Sequence, residues 1–311
     1  MVETPSAFRY FSPTLPIVAQ HRPPARSAPN GLARDSELIY GLRAVDAVLV
    51  VRPHDALELS FDPRAERDLA PVIERARAKG VRVSPSSEHE LRSITRTHNH
   101  EGIALRAAPR RWTPAKDLAN VLSNGRGAAV ALDRVRNAYN IGAIVRSAAF
   151  FGIDAVIFGS RAPEPDLPED AVRVAEGGAE HLALSRTTDL AETLKRLRES
   201  GVQIVGAESD GASSAVGFAF ASKSVLVLGH EREGISDRVR AQCDAVVAIR
   251  GSGAIESLNV AIAASVMISE LVRDRAPVTK PALAPRPAPS APQPSPAPRG
   301  PAPRPARPRR R

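Results

Sequence analysis

The sequence predicts an α/β protein with a parallel sheet, and two observations support this fold class. Apolar segments of strand length alternate with amphipathic segments of helical period through most of the chain. The apolar segments at residues 128–132, 225–228 and 245–249 are apolar at every position rather than at every second one. Strands that are apolar on both faces are typical of a parallel sheet covered by helices on each side.

Residues 37–107 are predicted to form a small first α/β unit. Ser87 indicates a helix start, because its hydroxyl can accept a hydrogen bond from an unpaired backbone amide of the first turn. The predicted elements are a helix with apolar residues at Leu42, Val45, Val48 and Leu49, a strand at 56–61, a helix at 65–79 ended by Gly80, a strand at 81–83, a helix at 87–95 and a strand at 102–105.

Residues 127–275 are predicted to form a second, larger α/β unit. A linker at residues 108–126 precedes it and contains Pro109, Pro114 and Gly125, with a short helix expected near 117–122. The predicted elements of the second unit are strands at 128–132, 155–158, 202–205, 225–228 and 245–249, and helices at 141–151, 190–200 and 258–273.

Both ends of the chain differ from these units in composition. Residues 1–36 are rich in Pro and Arg without periodicity, and residues 276–311 form a Pro/Ala/Arg-rich basic tail, so both are predicted to be disordered. The tail attracts polyanions without selecting one, or serves only to increase solubility. Its basic residues supply eight of the nine net positive charges: Lys280, Arg286, Arg299, Arg304, Arg307, Arg309, Arg310 and Arg311.

Composition excludes several other classes of protein. The one cysteine, Cys243, excludes an internal disulfide framework and a cysteine-based zinc site, and is expected to pack in the core rather than act as a nucleophile. His89, His98 and His100 lie close in sequence but lack further ligands at suitable spacing, so no metal site is predicted. No apolar run approaches the ~18 residues that span a bilayer. We therefore expect a cytoplasmic protein.

Three loops in the second unit each follow a predicted strand and carry polar or glycine residues. The segments that contain them span 132–152, 226–236 and 249–260, and the last runs Ile-Arg-Gly-Ser-Gly-Ala-Ile-Glu-Ser-Leu-Asn-Val into a helix. A loop without bulky side chains exposes backbone N–H and C=O groups that a flat ligand can use. Ligands of open α/β sheets bind beyond the carboxyl ends of the strands, so the three loops predict one shared site.

These three segments resemble, in order and internal spacing, the three motifs of the SpoU/TrmH family of SPOUT RNA methyltransferases. The resemblance implies a SPOUT-type parallel sheet with a C-terminal trefoil knot, preceded by an L30e-like RNA substrate-binding domain at 37–107. It also implies methyl transfer from S-adenosylmethionine to a ribose 2'-hydroxyl in tRNA or rRNA, and a homodimer whose cofactor pocket lies close to the subunit interface.

The resemblance also implies a set of site residues. Asn140, Arg146 and Glu231 correspond to the catalytic side, with Glu231 expected to orient the Arg146 guanidinium and Asn140 expected to cap a helix as well. Arginine hardly releases its proton in proteins, so we expect Arg146 to stabilise the developing alkoxide and hold the adjacent phosphate, with the phosphate or an unusually placed guanidinium accepting the proton. The implied cofactor-binding residues are Leu228, Gly229, Ile249, Ser257, Leu258 and Asn259.

The chain departs from the family pattern at several positions, and two alternatives remain open. Family members commonly carry proline where Ala138 and Arg250 stand, asparagine at His230 and a bulky apolar residue at Gly251. Arg250 and Gly251 border the expected adenine pocket, so a non-catalytic RNA-binding or ribosome-assembly protein is the first alternative. A Rossmann nucleotide enzyme is the second, although the Gly-x-Gly-x-x-Gly segment after the first strand is absent.

The segment 176–181, Glu-Gly-Gly-Ala-Glu-His, resembles a segment of a poorly characterised branch of the same family. It predicts a turn and receives no chemical role. Glu233, beside Glu231 in the second loop, is expected to face solvent.

Overall fold

The computed structural model describes residues 36–159 and 167–275. The disorder predicted for the basic tail, and for all but the last residue of the N-terminal segment, therefore falls outside the described residues. The first unit is an α/β layer close to the predicted one. Its elements are β1 (Glu37–Tyr40), α1 (Leu42–Val51), β2 (Ala56–Phe61), α2 (Glu66–Ala78), β3 (Arg82–Pro85), α3 (Glu88–Thr95) and β4 (Ile103–Ala107).

The sheet of the first unit contains one strand that the sequence did not indicate. Its described strands are ordered β1-β4-β2-β3, with β1 and β2 antiparallel to β4 and β3 parallel to β2. β1 was missed because it has four residues and begins with a charged one, Glu37. The expected cap at Ser87 is confirmed: its hydroxyl accepts from the Glu90 amide, and the Glu90 carboxylate accepts from the Ser87 amide.

The second unit has the predicted alternation of strands and helices. The described part adds short elements in four segments where no strand or helix was predicted, at 169–174, 183–187, 213–214 and 237–240, the last directly after the second loop. Its elements are α4 (Leu118–Asn124), β5 (Ala128–Asp133), α5 (Ala138–Phe151), β6 (Ala155–Gly159), α6 (Glu169–Val174), β7 (Ala183–Thr187), α7 (Leu190–Glu199), β8 (Gln203–Ala207), β9 (Ser213–Ser214), β10 (Ser224–Leu228), α8 (Asp237–Arg240), β11 (Ala245–Ala248) and α9 (Val260–Val272).

The sheet of the second unit positions the three loops. Its described strands are ordered β7-β6-β5-β10-β8-β11-β9, and every pairing is parallel. The α/β fold with a parallel sheet is therefore confirmed. Because β5, β10, β8 and β11 are consecutive neighbours, the loops that follow them leave the same edge of the sheet side by side.

Part of the predicted linker packs as an element of the second unit. α4 buries Leu118 and Leu122 almost completely, against the same core cluster that contains Ala129 and Ile157 of the sheet. The Thr113 amide also donates to the Leu184 carbonyl at 2.7 Å. Cys243 packs against this cluster, and burial raises the pKa of its thiol to about 11, which agrees with a packing role.

A buried group of two arginines and two glutamates joins the two units. Arg52, which follows α1, forms ion pairs with Glu37 of β1 and with Glu180, whose Oε2 accepts from Arg52 Nε at 2.7 Å. Arg110 pairs with the same two carboxylates at 3.1 and 3.3 Å. Burial lowers the pKa of Arg52, but hydrogen bonding and charge from Glu180 and Glu37 raise it by more. We call these four residues the interdomain charge cluster.

No helix among the described residues is long and apolar enough to cross a membrane.

Candidate active site

A cavity of about 390 Å³ lies beyond the carboxyl ends of the central strands. Its walls come from the segments that follow β8, β10 and β11 and from the start of α9. Leu228, Gly229, Glu231, Ile249, Ser257 and Leu258 line it. These are six of the nine residues that the sequence predicted for the site.

The cavity carries a surplus of acidic side chains. Glu208, Asp210, Glu231, Glu233 and Glu256 line it, against Arg232 and Arg240. This balance favours a ligand with positive charge. The described residues contain no group of three or more His, Cys, Asp or Glu side chains that could hold a metal ion.

The second loop, after β10, folds back on itself at the cavity wall. The His230 amide donates to the Gly234 carbonyl at 3.0 Å, and the Gly234 amide donates to the His230 carbonyl at 2.9 Å. A Cβ atom at Gly229 would overlap the main chain of Gly234, so this fold-back requires glycine there. Arg134, in the first loop, donates from Nη2 to the Gly234 carbonyl at 3.1 Å and forms an ion pair with Glu233. Glu233 thus helps to fasten the loop, and its side chain is 62% exposed, which confirms the expectation that it faces solvent.

Two side chains of the third loop, Arg250 and Asn259, hydrogen-bond to main-chain groups near its two ends. Arg250 donates from Nη2 to the Gly211 carbonyl at 2.8 Å, and neither Arg250 nor Gly251 is among the residues lining the cavity. Asn259 is the N-cap of α9, because its Oδ1 accepts from the Ala261 amide at 2.9 Å.

Side-chain hydrogen bonds connect all three loops. Asn259 Nδ2 donates to Asn140 Oδ1 at 3.1 Å, and Asn140 Nδ2 donates to Glu231 Oε1 at 2.7 Å. Asn140 and Asn259 therefore lie beside the cavity residue Glu231 without lining the cavity themselves. The cap predicted for Asn140 was wrong: α5 starts earlier, and Asn137 caps it by accepting from the amides of Tyr139 and Asn140.

Arg146 is separated from this chain of hydrogen bonds. Its Nη2 lies 3.1 Å from Oε2 of Glu176, its side chain is 57% exposed, and it does not line the cavity. The expectation that Glu231 orients its guanidinium was wrong. Because a helix advances about 100° per residue, Arg146 lies on a different face of α5 from Asn140 and Ser147.

Sequence reasoning missed two carboxylates of this region. Glu208 follows β8, its side chain is 10% exposed, and it pairs with Arg240 while its Oε1 accepts from the Ile235 amide at 3.3 Å. The strand-end rule that selected the other loops also applies to β8 and could have found it. The segment 176–181 was noted in the sequence without a chemical role, and nothing local indicated that Glu176 pairs with Arg146 of α5.

The fold and the cavity together define an α/β protein with a small-molecule site at the ends of parallel strands. Residues 127–269 match the model of the SpoU rRNA Methylase family, and residues 38–113 match the model for RNA 2'-O ribose methyltransferase substrate binding. A Mycolicibacterium vanbaalenii protein described as an uncharacterized tRNA/rRNA methyltransferase is 34% identical over 244 residues, covering 78% of this chain and 77% of that protein. The chain belongs to the SpoU methyltransferase family, which confirms the resemblance seen in its motifs.

Solved structures support the same fold. An rRNA methyltransferase from Sinorhizobium meliloti superposes with a TM-score of 0.62 at 25% identity, covering 77% of this chain and 87% of that one. The S-adenosylmethionine-bound structure of an rRNA methyltransferase from the same organism gives a TM-score of 0.60 with the same identity and coverage.

Proposed function

We propose that this protein transfers a methyl group from S-adenosylmethionine to a ribose 2'-hydroxyl of tRNA or rRNA. The observation that carries the proposal is the meeting of the second and third motif loops at one cavity, with the first loop joined to them through hydrogen bonds of Asn140 to Glu231 and Asn259. The relatives named tRNA/rRNA methyltransferases and the substrate-binding model over residues 38–113 support the substrate class. The proposal includes a cytoplasmic location, because tRNA and rRNA are the substrates.

The cavity suits S-adenosylmethionine in its shape and charge. Leu228, Ile249, Leu258 and Met267 supply apolar surface for the faces of an adenine ring, and the acidic side chains suit a cationic sulfonium and ammonium group. The second loop contributes residues 229–234 to the cavity wall. We therefore assign Leu228, Gly229, Ile249, Ser257 and Leu258 to cofactor binding, with Asn259 holding the start of α9 beside them.

The bound cofactor supplies an activated methyl group, so the protein's task is chiefly one of positioning. Glu231 accepts a hydrogen bond from the Asn140 side-chain amide, and Asn140 in turn accepts one from Asn259. These two hydrogen bonds hold the three loops in fixed positions relative to one another. We assign Arg146 to stabilise negative charge on the attacking ribose oxygen and to hold the adjacent phosphate, which takes the proton.

A homodimer would complete this site. Helices α5 and α9 pack side by side, and the hydroxyls of Ser147 and Ser265 lie 2.8 Å apart between them. Both helices also expose large apolar side chains: Tyr139, Phe150 (82% exposed), Ile262 and Val266. Exposed apolar side chains on two adjacent helices are typical of a protein interface. A second copy of the protein that covered these exposed side chains would bring its Arg146 to the cavity of the first copy, which the Arg146 of that first copy does not line. The dimer, and the trefoil knot implied by the resemblance, remain predictions.

The non-catalytic alternative loses its main support in this geometry. It rested on the departures from the family pattern at Arg250 and Gly251, which border the expected adenine pocket and put cofactor affinity in doubt. Arg250 instead hydrogen-bonds the Gly211 carbonyl, and a Cβ at Gly251 would have no atom within 4 Å.

The test of the proposed function is transfer of labelled methyl groups to RNA. Full-length protein is incubated with labelled S-adenosylmethionine and RNA from cells that lack it, and the RNA is digested to nucleosides. We expect the label in 2'-O-methylated nucleosides of tRNA or rRNA, and mapping of these sites identifies the nucleotide. Label in base-methylated nucleosides would contradict the ribose assignment, and absence of label would contradict the function.

Replacing Gly229 with alanine should weaken S-adenosylmethionine binding roughly 10- to 100-fold, the equivalent of an overpacking penalty of about 1–3 kcal/mol. The added methyl group would overlap the main chain of Gly234 and push the second loop away from the cavity. Gly251→Ala is the matched control, because it adds the same group in open space. Calorimetric titration with S-adenosylmethionine measures both variants. Equal affinities for Gly229→Ala and the wild type would mean that the cofactor binds elsewhere.

A further inference from the structure

The carboxylate of Glu176 connects two arginines from different units. Its Oε2 lies 3.4 Å from Nε of Arg43, on α1 of the first unit, and 3.1 Å from Nη2 of Arg146, on α5 of the second. Both arginine side chains are 57% exposed and the Glu176 side chain is 38% exposed. One anionic oxygen therefore lies between two solvent-accessible guanidinium groups that come from opposite sides of the domain boundary.

The turn that carries Glu176 is held in place by contacts with both units. Gly177 has φ +84°, and a Cβ there would lie 2.6 Å from Cβ of Ala47 and 3.1 Å from the Arg43 carbonyl oxygen of α1. At Gly178 a Cβ would lie 3.0 Å from Cβ of Ala149 and 3.4 Å from Cα of Arg146 of α5. Two consecutive glycines thus let the turn fit closely between the two helices, and this fixes the spacing of Arg43 and Arg146.

The backbone of Glu176 itself is unfavourable for a residue with a side chain. Its φ is +46°, in the left-handed region. The close packing of Gly177 and Gly178 imposes this conformation, which directs the carboxylate to the two guanidinium groups. The Glu176 carboxylate therefore occupies a position at which Arg43 and Arg146 can together bind an anionic group.

The charges at this position are unbalanced. Two guanidinium groups share one carboxylate, which leaves one net positive charge at an exposed place, and exposed ion pairs contribute little stability. A phosphodiester group, like a carboxylate, carries one negative charge and presents two free oxygens. In the structure both arginines contact the same oxygen, Oε2 of Glu176, so a phosphodiester that replaced the carboxylate could offer each arginine an oxygen of its own.

We propose that Arg43 and Arg146 form a binding site for one phosphodiester group of the RNA substrate, and that Glu176 occupies this site until RNA displaces it. We call this pair of arginines the phosphate clamp. The inference rests on the proposed function, because it takes RNA as the ligand. It gives the first unit a direct part in positioning the RNA strand at Arg146.

The first test measures RNA affinity by fluorescence anisotropy with a fluorescein-labelled RNA stem-loop, using full-length variants over a series of salt concentrations. Arg43→Ala should weaken binding about ten-fold. The slope of log affinity against log salt should fall by about 0.7 in magnitude, the value for one phosphate contact to a single strand. Arg67→Ala, at an exposed arginine of α2, is the matched control and should change neither quantity by a comparable amount.

The second test removes the internal anion. Glu176→Gln keeps the shape of the side chain but not its charge, so RNA affinity should rise roughly two- to five-fold, as expected for loss of competing exposed ion pairs. Glu74→Gln, at an exposed glutamate of α2, removes one negative charge away from the clamp and controls for the general electrostatic effect. S-adenosylmethionine affinity, measured by calorimetry, should stay the same in every variant. A purely structural Glu176 would instead give weaker or unchanged RNA binding.

The outcomes separate the clamp from the proposed function. The clamp is overturned if Arg43→Ala binds RNA like Arg67→Ala, or if Glu176→Gln gains no more affinity than Glu74→Gln. Arg43→Gln provides a second variant if the alanine protein does not fold. If the variants show the predicted changes in RNA affinity but the wild-type protein methylates no RNA, the phosphate clamp is supported and the proposed function is contradicted. If the wild-type protein methylates RNA and Arg43→Ala leaves its KM for RNA unchanged, the proposed function is supported and the phosphate clamp is contradicted.

Discussion

Replacing Arg146 with alanine is expected to lower the rate of methyl transfer by about 10²–10³-fold, the usual cost of removing one group that stabilises transition-state charge. Binding of S-adenosylmethionine should be retained, because Arg146 does not line the cavity. The first quantity is measured as methyl incorporation into RNA at saturating cofactor, and the second by calorimetric titration. Loss of both together would show that Arg146 is a structural residue and that its catalytic assignment is wrong.

Two controls sharpen this experiment. Arg67→Ala removes an exposed arginine from α2 and should leave methyl transfer close to the wild-type rate. Arg146→Lys keeps the charge but loses the planar, two-pronged donor, so it should recover only part of the activity.

Mixing two impaired variants, at an S-adenosylmethionine concentration too low to saturate Gly229→Ala, tests whether Arg146 serves the cavity of a second copy. Arg146→Ala leaves an intact cavity, and Gly229→Ala leaves an intact Arg146. In a mixed dimer, the cavity of the first variant can meet Arg146 of the second, so part of the activity should return after the two proteins are unfolded and refolded together. No recovery, although mixed dimers form, would show that Arg146 acts within its own chain.

Replacing Glu180 with alanine should destabilise the folded protein by about 3–5 kcal/mol, the range for breaking a buried ion pair by removing one partner. The side chain of Glu180 is 4% exposed, and it pairs with Arg52 and Arg110, whose side chains are 14% and 5% exposed. Without it, the two buried guanidinium groups share the carboxylate of Glu37, and Arg52 keeps a second, more exposed partner in Asp55 at 3.5 Å. Urea denaturation followed by circular dichroism measures the free energy of unfolding, provided that the transition remains two-state.

The matched control is a glutamate in an exposed ion pair. Glu192→Ala removes a partner of Arg196 at 2.9 Å on α7, where the two side chains are 45% and 70% exposed. Pairs of this kind contribute about 0.3–0.5 kcal/mol. If Glu180→Ala costs no more than Glu192→Ala, the interdomain charge cluster does not hold the two units together.

The loops of the candidate site were predictable because their signals are local. A glycine-rich segment that ends in Asn259 and precedes an apolar helix indicates a capped helix start wherever it occurs, and the structure has that cap. The same holds for Ser87 and its capping box. Strand segments such as 225–228 are apolar at every position, and this follows from burial on both faces.

Errors arose where the local signal was ambiguous. Two asparagines near the start of α5, Asn137 and Asn140, could each cap it, and in the structure the helix begins at Ala138 with Asn137 as its cap. β1 and β7 are edge strands of four and five residues with mixed polarity, so their patterns do not distinguish them from loops.

The sequence by itself determined the two α/β units, the parallel sheet and the three loops, because helix and strand periods, caps and glycines act over a few neighbouring residues. Only the tertiary structure decided which charged side chains meet. Glu231 bonds to Asn140 from 91 residues away, and Glu176 takes Arg146 from α5 and Arg43 from the other unit. Such pairings depend on how whole elements pack, since a carboxylate binds whichever donor the packing brings within about 3 Å.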